Sequence, residues 1–171
     1  MERFGVAEVK AGGGLIGLCP MPGRAGDYAG DLAAVLSWAP GLVVTMATAA
    51  ELALGAEALP ADLAAAGIAW RHLPVADFAA ESIALGDGWA GVSAEARGML
   101  ASGGRVLFHC LGGCGRSGMA ALRLMVDCGE APEAALARLR RARPCAIETD
   151  EQLRWAAGAS SRAADGRTRS W

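Results

Sequence analysis

An apolar run, Arg105-Val106-Leu107-Phe108, passes into His109-Cys110-Leu111-Gly112-Gly113-Cys114-Gly115-Arg116-Ser117, and an apolar helical pattern over 119–126 leads out. No other stretch constrains the fold as much. A buried strand, a tight turn and a helix start must follow one another directly. Gly112, Gly113 and Gly115 permit left-handed backbone and close approach, so successive N–H groups can face one side. A helix N-terminus adds further inward N–H groups. The turn is built to surround an anion, with the Cys110 thiol at its base and the Arg116 guanidinium at its end.

The flanking pattern supplies a scaffold. Leu15-Ile16-Gly17-Leu18 reads as a short strand, and Cys19-Pro20-Met21-Pro22-Gly23 breaks it. Asp27 or Asp31 can cap a helix carrying Leu32, Val35 and Leu36, which Pro40-Gly41 stops. Leu42-Val43-Val44-Thr45-Met46 is continuous and β-branched, as expected of a buried parallel strand. Short helices are expected over 49–54 and 61–66, broken near Gly55 and Pro60. A strand follows over 68–75, then a loop over 76–88. A helix over 89–101 ends at Ser102-Gly103-Gly104. After the 105–110 strand and the glycine turn, helices are expected over 116–128, 132–141 and 150–157. Strands alternating with helices give an α/β fold, a single domain with a central, mostly parallel sheet flanked by helices. Residues 1–158 form this domain, and 159–171 read as a polar C-terminal tail.

Composition removes several classes of function. The net charge of −2 offers no basic field for nucleic acid. Arg138, Arg140, Arg141 and Arg143 fall on more than one face of a helix and read as a solvated surface. No apolar run is long enough to span a membrane, and no secretory signal is visible. The five cysteines are odd in number and show no framework spacing, which fits a reducing cytoplasm. Neither Cys-x-x-Cys nor a Cys/His zinc spacing occurs, so no metal is expected.

In the turn, Arg116, the nest of amides and the helix N-terminus all favour thiolate over thiol at Cys110. Ser117 can donate a hydrogen bond to that sulfur, and His109 can fix the turn through backbone contacts. This is chemistry for phosphate-ester hydrolysis through a cysteinyl-phosphate. The leaving oxygen then needs a proton. Asp77, in Leu73-Pro74-Val75-Ala76-Asp77-Phe78, follows a strand and shares the sheet end of the glycine turn if the strands are parallel. Asp87, flanked by glycines in the expected loop, is the competing acid.

These residues resemble the cysteine-dependent protein phosphatases of the dual-specificity group, most closely the kinase-associated phosphatase (cyclin-dependent kinase inhibitor 3) family. The resemblance covers about 18–155. Its strongest element is the His109–Ser117 segment. Weaker ones are Cys19-Pro20-Met21-Pro22-Gly23-Arg24, the strand with Thr45 ending near Glu51-Leu52, His72-Leu73-Pro74-Val75-Ala76-Asp77, and Ala146-Ile147-Glu148-Thr149 with Gln152. It implies the protein-tyrosine-phosphatase-like fold, with Cys110 as nucleophile, Arg116 as phosphate clamp and Asp77 as general acid. Ser117 would assist thiolate release, and Gln152 would help place the hydrolytic water. Leu111, Gly112, Gly113, Cys114, Gly115 and Arg116 would line the phosphate, and free phosphate or sulfate would fit there too. No cofactor is implied. The chain departs from the family at Cys114 and at Ala80-Glu81, where a proline is common.

Other readings meet obstacles. Gly113-Cys114-Gly115-Arg116-Ser117-Gly118 matches a dinucleotide fingerprint, but no second parallel strand with an acidic end follows the helix. A Walker loop lacks its lysine. A rhodanese-like sulfur transferase needs no acid such as Asp77. A non-catalytic phosphate-binding module would be expected to lose the nucleophile, clamp or acid, and all three stand. The expected substrate is a phosphorylated protein or peptide, carrying phosphotyrosine and also phosphoserine or phosphothreonine. The five turn residues between Cys110 and Arg116 include no lysine or arginine, which disfavours polyphosphorylated inositol lipids. Arg24 reads as an exposed turn arginine, with the pocket rim as its alternative role, and His72 as a structural strand residue. Cys110 and Cys114 stand four apart, so an oxidised Cys110 could be captured as a disulfide by Cys114 if the turn lets their Cα atoms approach within about 7 Å.

Overall fold

The computed structural model describes residues 4–158. One sheet contains β1 (Ala7–Ala11), β2 (Gly14–Cys19), β3 (Leu42–Thr45), β4 (Ala69–His72) and β5 (Arg105–His109), in the order β1-β2-β5-β3-β4. β1 pairs antiparallel with β2, and the other neighbours are parallel. The helices are α1 (Tyr28–Trp38), α2 (Ala49–Leu52), α3 (Leu59–Ala65), α4 (Ile83–Ala101), α5 (Gly115–Asp127), α6 (Pro132–Ala142) and α7 (Asp150–Ala156).

Side-chain alternation along the strands splits the core in two. Ile16, Leu18, Leu42, Val44, Val106 and Phe108 face one layer, with buried residues of α4, α5, α6 and α7. Val43, Leu107 and Cys19 face the other, with Val35 of α1 and Leu59 and Leu63 of α3. Both faces of the central strands are covered, which explains their unbroken apolar character. The expected α/β class, with a mostly parallel sheet, is therefore the one observed.

Several boundaries differ from expectation, each for a local reason. The 76–88 segment is not loop throughout: α4 begins at Ile83, where the Ser82 side chain accepts from the Leu85 N–H as an N-cap. Buried Leu85, Trp89, Val92, Ala96 and Leu100 then follow helical spacing. Pro60 does not break a helix but stands in the first turn of α3, where its missing N–H has no intrahelical partner to lose. β4 stops at His72, ahead of Leu73-Pro74. The antiparallel edge strand β1 was not anticipated. It joins β2 through Gly12 and Gly13, with φ of 58° and 97°, as a tight hairpin requires. The expected 159–171 tail lies outside the described residues. No helix among the described residues is long and apolar enough to cross a membrane.

The parallel register brings Cys19, His109, Thr45 and His72 into one row across the C-terminal edge of the sheet. The loops that follow these residues all emerge on that side. His109 anchors the row. The Trp70 indole N–H donates to Thr45 Oγ1 at 2.9 Å, and Thr45 Oγ1 lies 2.6 Å from His109 Nε2. His109 Nδ1 lies 3.3 Å from the Cys110 carbonyl oxygen. A neutral imidazole satisfies this chain: Nδ1–H donates to the carbonyl, and Nε2 accepts from the Thr45 hydroxyl. His72 Nε2 meets the Ala47 carbonyl at 2.8 Å, the structural role expected of it.

Burial holds the His109 imidazole neutral, lowering its pKa from 6.5 to about 4, with smaller contributions from nearby His72 and Arg116. Above pH 6.5 the ring is neutral whether the chain is folded or not. Below it the unfolded chain takes the proton first, so stability falls until the folded ring also titrates. The loss amounts to about 3 kcal/mol. Urea midpoints measured from pH 7 to pH 4 are expected to fall in the wild type, and to fall less steeply in His109→Gln. Identical slopes would show that His109 does not carry the effect.

Candidate active site

Residues 110–114 turn from the end of β5 into the N-terminus of α5. Gly113 has φ of +71°, and a Cβ there would fall 2.5 Å from the Cys19 carbonyl carbon and the Pro20 nitrogen. Only glycine fits, on conformational and steric grounds alike. At Gly115 a Cβ would lie 2.2 Å from Glu148 Oε2, so the α7 side presses directly on the start of α5. The turn is thus wedged between the β2 end and the α6–α7 connection.

Cys110 is 2% exposed. The Gly113 N–H donates to its sulfur at 3.2 Å, and Ser117 Oγ lies 3.5 Å away. Ser117 therefore stands where the sequence placed it. The other buried thiol nearby, Cys19, behaves differently. Burial, with the neighbouring Cys110 adding to it, pushes the Cys19 thiol far above its ordinary range, so it stays protonated.

Arg116 is 1% exposed and is held on several sides. Nη1 donates to Glu51 Oε2 at 2.7 Å and to the Val75 carbonyl at 2.9 Å; Nη2 donates to Glu51 Oε1 at 2.9 Å. Nη2 also lies 3.2 Å from Asp77 Oδ1. Burial disfavours the charged guanidinium, but the Glu51 hydrogen bonds and the fields of Cys110, Glu51 and Asp77 outweigh it and raise its pKa. The Glu51 carboxyl is correspondingly lowered, chiefly by its bonds to Arg116. One donor remains. Arg116 Nε is the buried side-chain nitrogen without a hydrogen-bond partner among the described residues.

Asp77 is brought to the site and Asp87 is not. Asp77 is half-exposed, pairs with Arg116, and accepts from the Phe78 N–H at 3.1 Å. Asp87 lies exposed on α4, within a helix rather than the expected glycine loop, and has no hydrogen bond or ion pair among the described residues. Gln152 is fully buried. Its Oε1 accepts from the Glu148 and Thr149 N–H groups at 2.9 and 3.3 Å, and its Nε2 donates to the Ala79 carbonyl at 3.2 Å. It ties the start of α7 to the loop that carries Asp77. Arg24 is exposed, with Nη1 3.7 Å from the position of a Cβ on Gly112, at the rim of the turn.

Three features of the site were not read from sequence. Glu51 is the partner of Arg116; its visible signal was the Thr48-x-x-Glu51 capping box, which does form. The supposedly solvated arginines include structural clasps. Arg143 Nε and Nη2 donate to the Gly113 and Gly112 carbonyls at 3.0 and 3.1 Å, turning those oxygens outward. Arg140 donates to the Ala146 and Ile147 carbonyls. The third is a disulfide between Cys114 and Cys145, with Cα atoms 5.2 Å apart. It corrects the expected capture of Cys110 by Cys114, because the Cys114 sulfur is already bonded elsewhere and Cys110 is free.

The arrangement sets the Gly113 N–H and the Ser117 hydroxyl on a buried sulfur, pairs Arg116 with the Asp77 carboxylate, and leaves Arg116 Nε without a partner. Among the described residues no group of three His, Cys, Asp or Glu is placed to hold a metal ion. No protein-family model and no curated protein matches the chain. Solved structures do. Kinase associated phosphatase with its catalytic-site cysteine substituted by serine is 23% identical, with TM-score 0.77, over 91% of this chain and 93% of that one. Tk-PTP in its active form is 27% identical, with TM-score 0.66, over 87% and 92%. PTPMT1 in complex with PI(5)P is 19% identical, with TM-score 0.64, over 84% and 88%. The chain thus has the fold of the dual-specificity and protein-tyrosine phosphatases, with the Cys110–Arg116 turn at the C-terminal edge of its sheet.

Proposed function

We propose that the protein is a phosphoprotein phosphatase that hydrolyses phosphate monoesters through a cysteinyl-phosphate. The observation that carries this reading is Arg116 Nε, a charged donor buried without a protein partner beside Cys110. A phosphate oxygen satisfies it, as buried donors require. The amides of the glycine turn and of the α5 N-terminus take the remaining oxygens.

In the first step the Cys110 sulfur attacks phosphorus, and the bond to the ester oxygen breaks. Asp77 gives its proton to that oxygen. Arriving phosphate competes with Asp77 for Arg116 Nη2; the released carboxylate takes a proton from solvent and, as the acid, meets the leaving group. In the second step Asp77, now ionised, takes a proton from water as the water oxygen attacks phosphorus. The S–P bond breaks, and the Ser117 hydroxyl stabilises the departing thiolate. Gln152 serves this cycle by holding the Asp77 loop through Ala79.

The substrate class follows from the cradle's charge. Leu111-Gly112-Gly113-Cys114-Gly115 adds no cation to Arg116; Arg24 stands at the rim, and Arg143 is bound to the Gly112 and Gly113 carbonyls. One phosphoryl group on a protein side chain suits this better than a polyphosphorylated inositol. The relative bound to PI(5)P makes a lipid a necessary control rather than a second reading.

Cys110→Ser is expected to abolish turnover of p-nitrophenyl phosphate while calorimetry still detects orthophosphate binding. Wild-type turnover in that variant refutes the nucleophile. Asp77→Asn is expected to slow hydrolysis of phosphotyrosine peptides by about 10²–10⁴, with a smaller loss on the better p-nitrophenolate leaving group. An equal loss on both substrates would remove the acid role. Turnover is expected to persist in EDTA. A panel of phosphotyrosine, phosphoserine and phosphothreonine peptides with a phosphoinositide control tests the substrate class; faster turnover of the lipid overturns it.

A further inference from the structure

We propose that Cys145 is a positioning residue for the phosphate turn, and that its disulfide makes activity rise on mild oxidation. This rests on the phosphatase reading above. The α6–α7 connection grips the turn at successive points. Arg143 holds the carbonyls of Gly112 and Gly113. The Ile147 N–H donates to the Cys114 carbonyl at 3.2 Å. Between them, Cys145 bonds covalently to the Cys114 side chain across 31 residues of sequence. Ile147 adopts φ of +68°, a conformation that a β-branched residue keeps only where its surroundings impose it.

Cys114 occupies the hinge of the cradle. It is the N-cap of α5, and its own side chain makes no capping hydrogen bond there. Before it stand Gly112 and Gly113, the most flexible residues the chain can offer. Inward amides bind an anion tightly only if their directions are fixed beforehand. The disulfide fixes the last residue of the glycine run, and it holds Arg143, two positions before Cys145, against the carbonyls. Reduction frees both ends. It also returns a titratable thiol to the α5 N-terminus, where a thiolate competes with phosphate for the same positive end.

The two redox groups differ in access. Cys145 is exposed and Cys110 is buried at the cradle floor. A thiolate of a small dithiol reductant attacks the Cys145 sulfur, the S–S bond breaks, and Cys114 leaves as thiolate and takes a proton from water. The second thiol of the reductant then displaces Cys145, closing its own disulfide. Two electrons pass from reductant to protein; oxidised glutathione reverses the sequence through a mixed disulfide. Stronger oxidation by peroxide reaches Cys110 and ends activity. The same turn therefore needs one sulfur pair oxidised and one thiol reduced, which gives activity a maximum at intermediate redox poise.

The test measures p-nitrophenyl phosphate kinetics and orthophosphate affinity of the whole chain in glutathione buffers, with the Cys114–Cys145 bond followed by peptide mapping. Reduction of that bond is expected to raise KM and the phosphate dissociation constant by about three- to tenfold, with kcat changed less than KM. Reoxidation is expected to restore both. Cys145→Ser is expected to match the reduced wild type and to ignore the buffer on the reducing side. A bond that only holds the fold together would lower Tm on reduction and leave KM unchanged, and that result overturns the proposal. So does a Cys145→Ser variant with the wild-type redox response. If no redox state turns over the ester, the phosphatase reading falls and this inference falls with it.

Discussion

A guanidinium that is almost wholly withdrawn from water governs this molecule. Burying such a charge is costly unless geometry and hydrogen bonding compensate. Arg116 meets that cost with both oxygens of Glu51 and the Val75 carbonyl, which come from α2 and from the loop after β4. The dependence runs the other way as well. α2 is a four-residue helix, too short to stand by itself, and Glu51 closes its capping box while it holds Arg116. Both strand-end segments are therefore organised around a cation carried by α5. The same bonds leave Nε as the donor of this side chain without a partner among the described residues.

The sheet places this cation where it can act. Parallel pairing among β2, β5, β3 and β4 sends every following loop to one edge. That rule made Asp77 legible from sequence: a carboxylate just after a strand end must share an edge with a glycine turn that follows another strand end. The same local reading misplaced Asp87. Gly86 and Gly88 suggested a loop, whereas the Ser82 cap and the apolar spacing from Leu85 to Leu100 carry the helix through them. The signal was present in the residues and was outweighed by two glycines, of which Gly86 faces open space and Gly88 packs against Leu73. β1 was missed for a different reason. It is a short edge strand, and its Gly-Gly hairpin turn was its only strong mark.

Residues that act at long range were less legible than those that act locally. Charge patterning treats an arginine-rich helix face as solvated, because pattern records sign and spacing but not acceptors. Arg140 and Arg143 are used for their fixed forks of N–H donors, aimed at carbonyls that no helix or strand satisfies. Gln152 shows the same blindness. The residue pattern gives no sign that it is a buried strut with three backbone partners. In each case the partner is a main-chain atom on a loop, and main-chain atoms leave no trace in the residue pattern.

Cysteine counting failed for a related reason. An odd number without framework spacing argues against disulfides that hold a whole small domain together, and this domain does not need them: its two apolar layers cover both faces of the sheet. A single bond placed on one turn has no framework to display. The fates of the cysteines follow from surroundings rather than number. Cys19 is sealed in the core and kept protonated, although it pairs with His109, the residue before Cys110. Cys110 is buried too, but it faces an amide, a hydroxyl and an arginine instead of apolar side chains alone. Cys145 is exposed on a loop that already grips the turn. Distinct environments thus give one chain a sealed thiol, a thiol among polar partners and a tether. The tether acts on a turn whose glycines make its backbone flexible by composition.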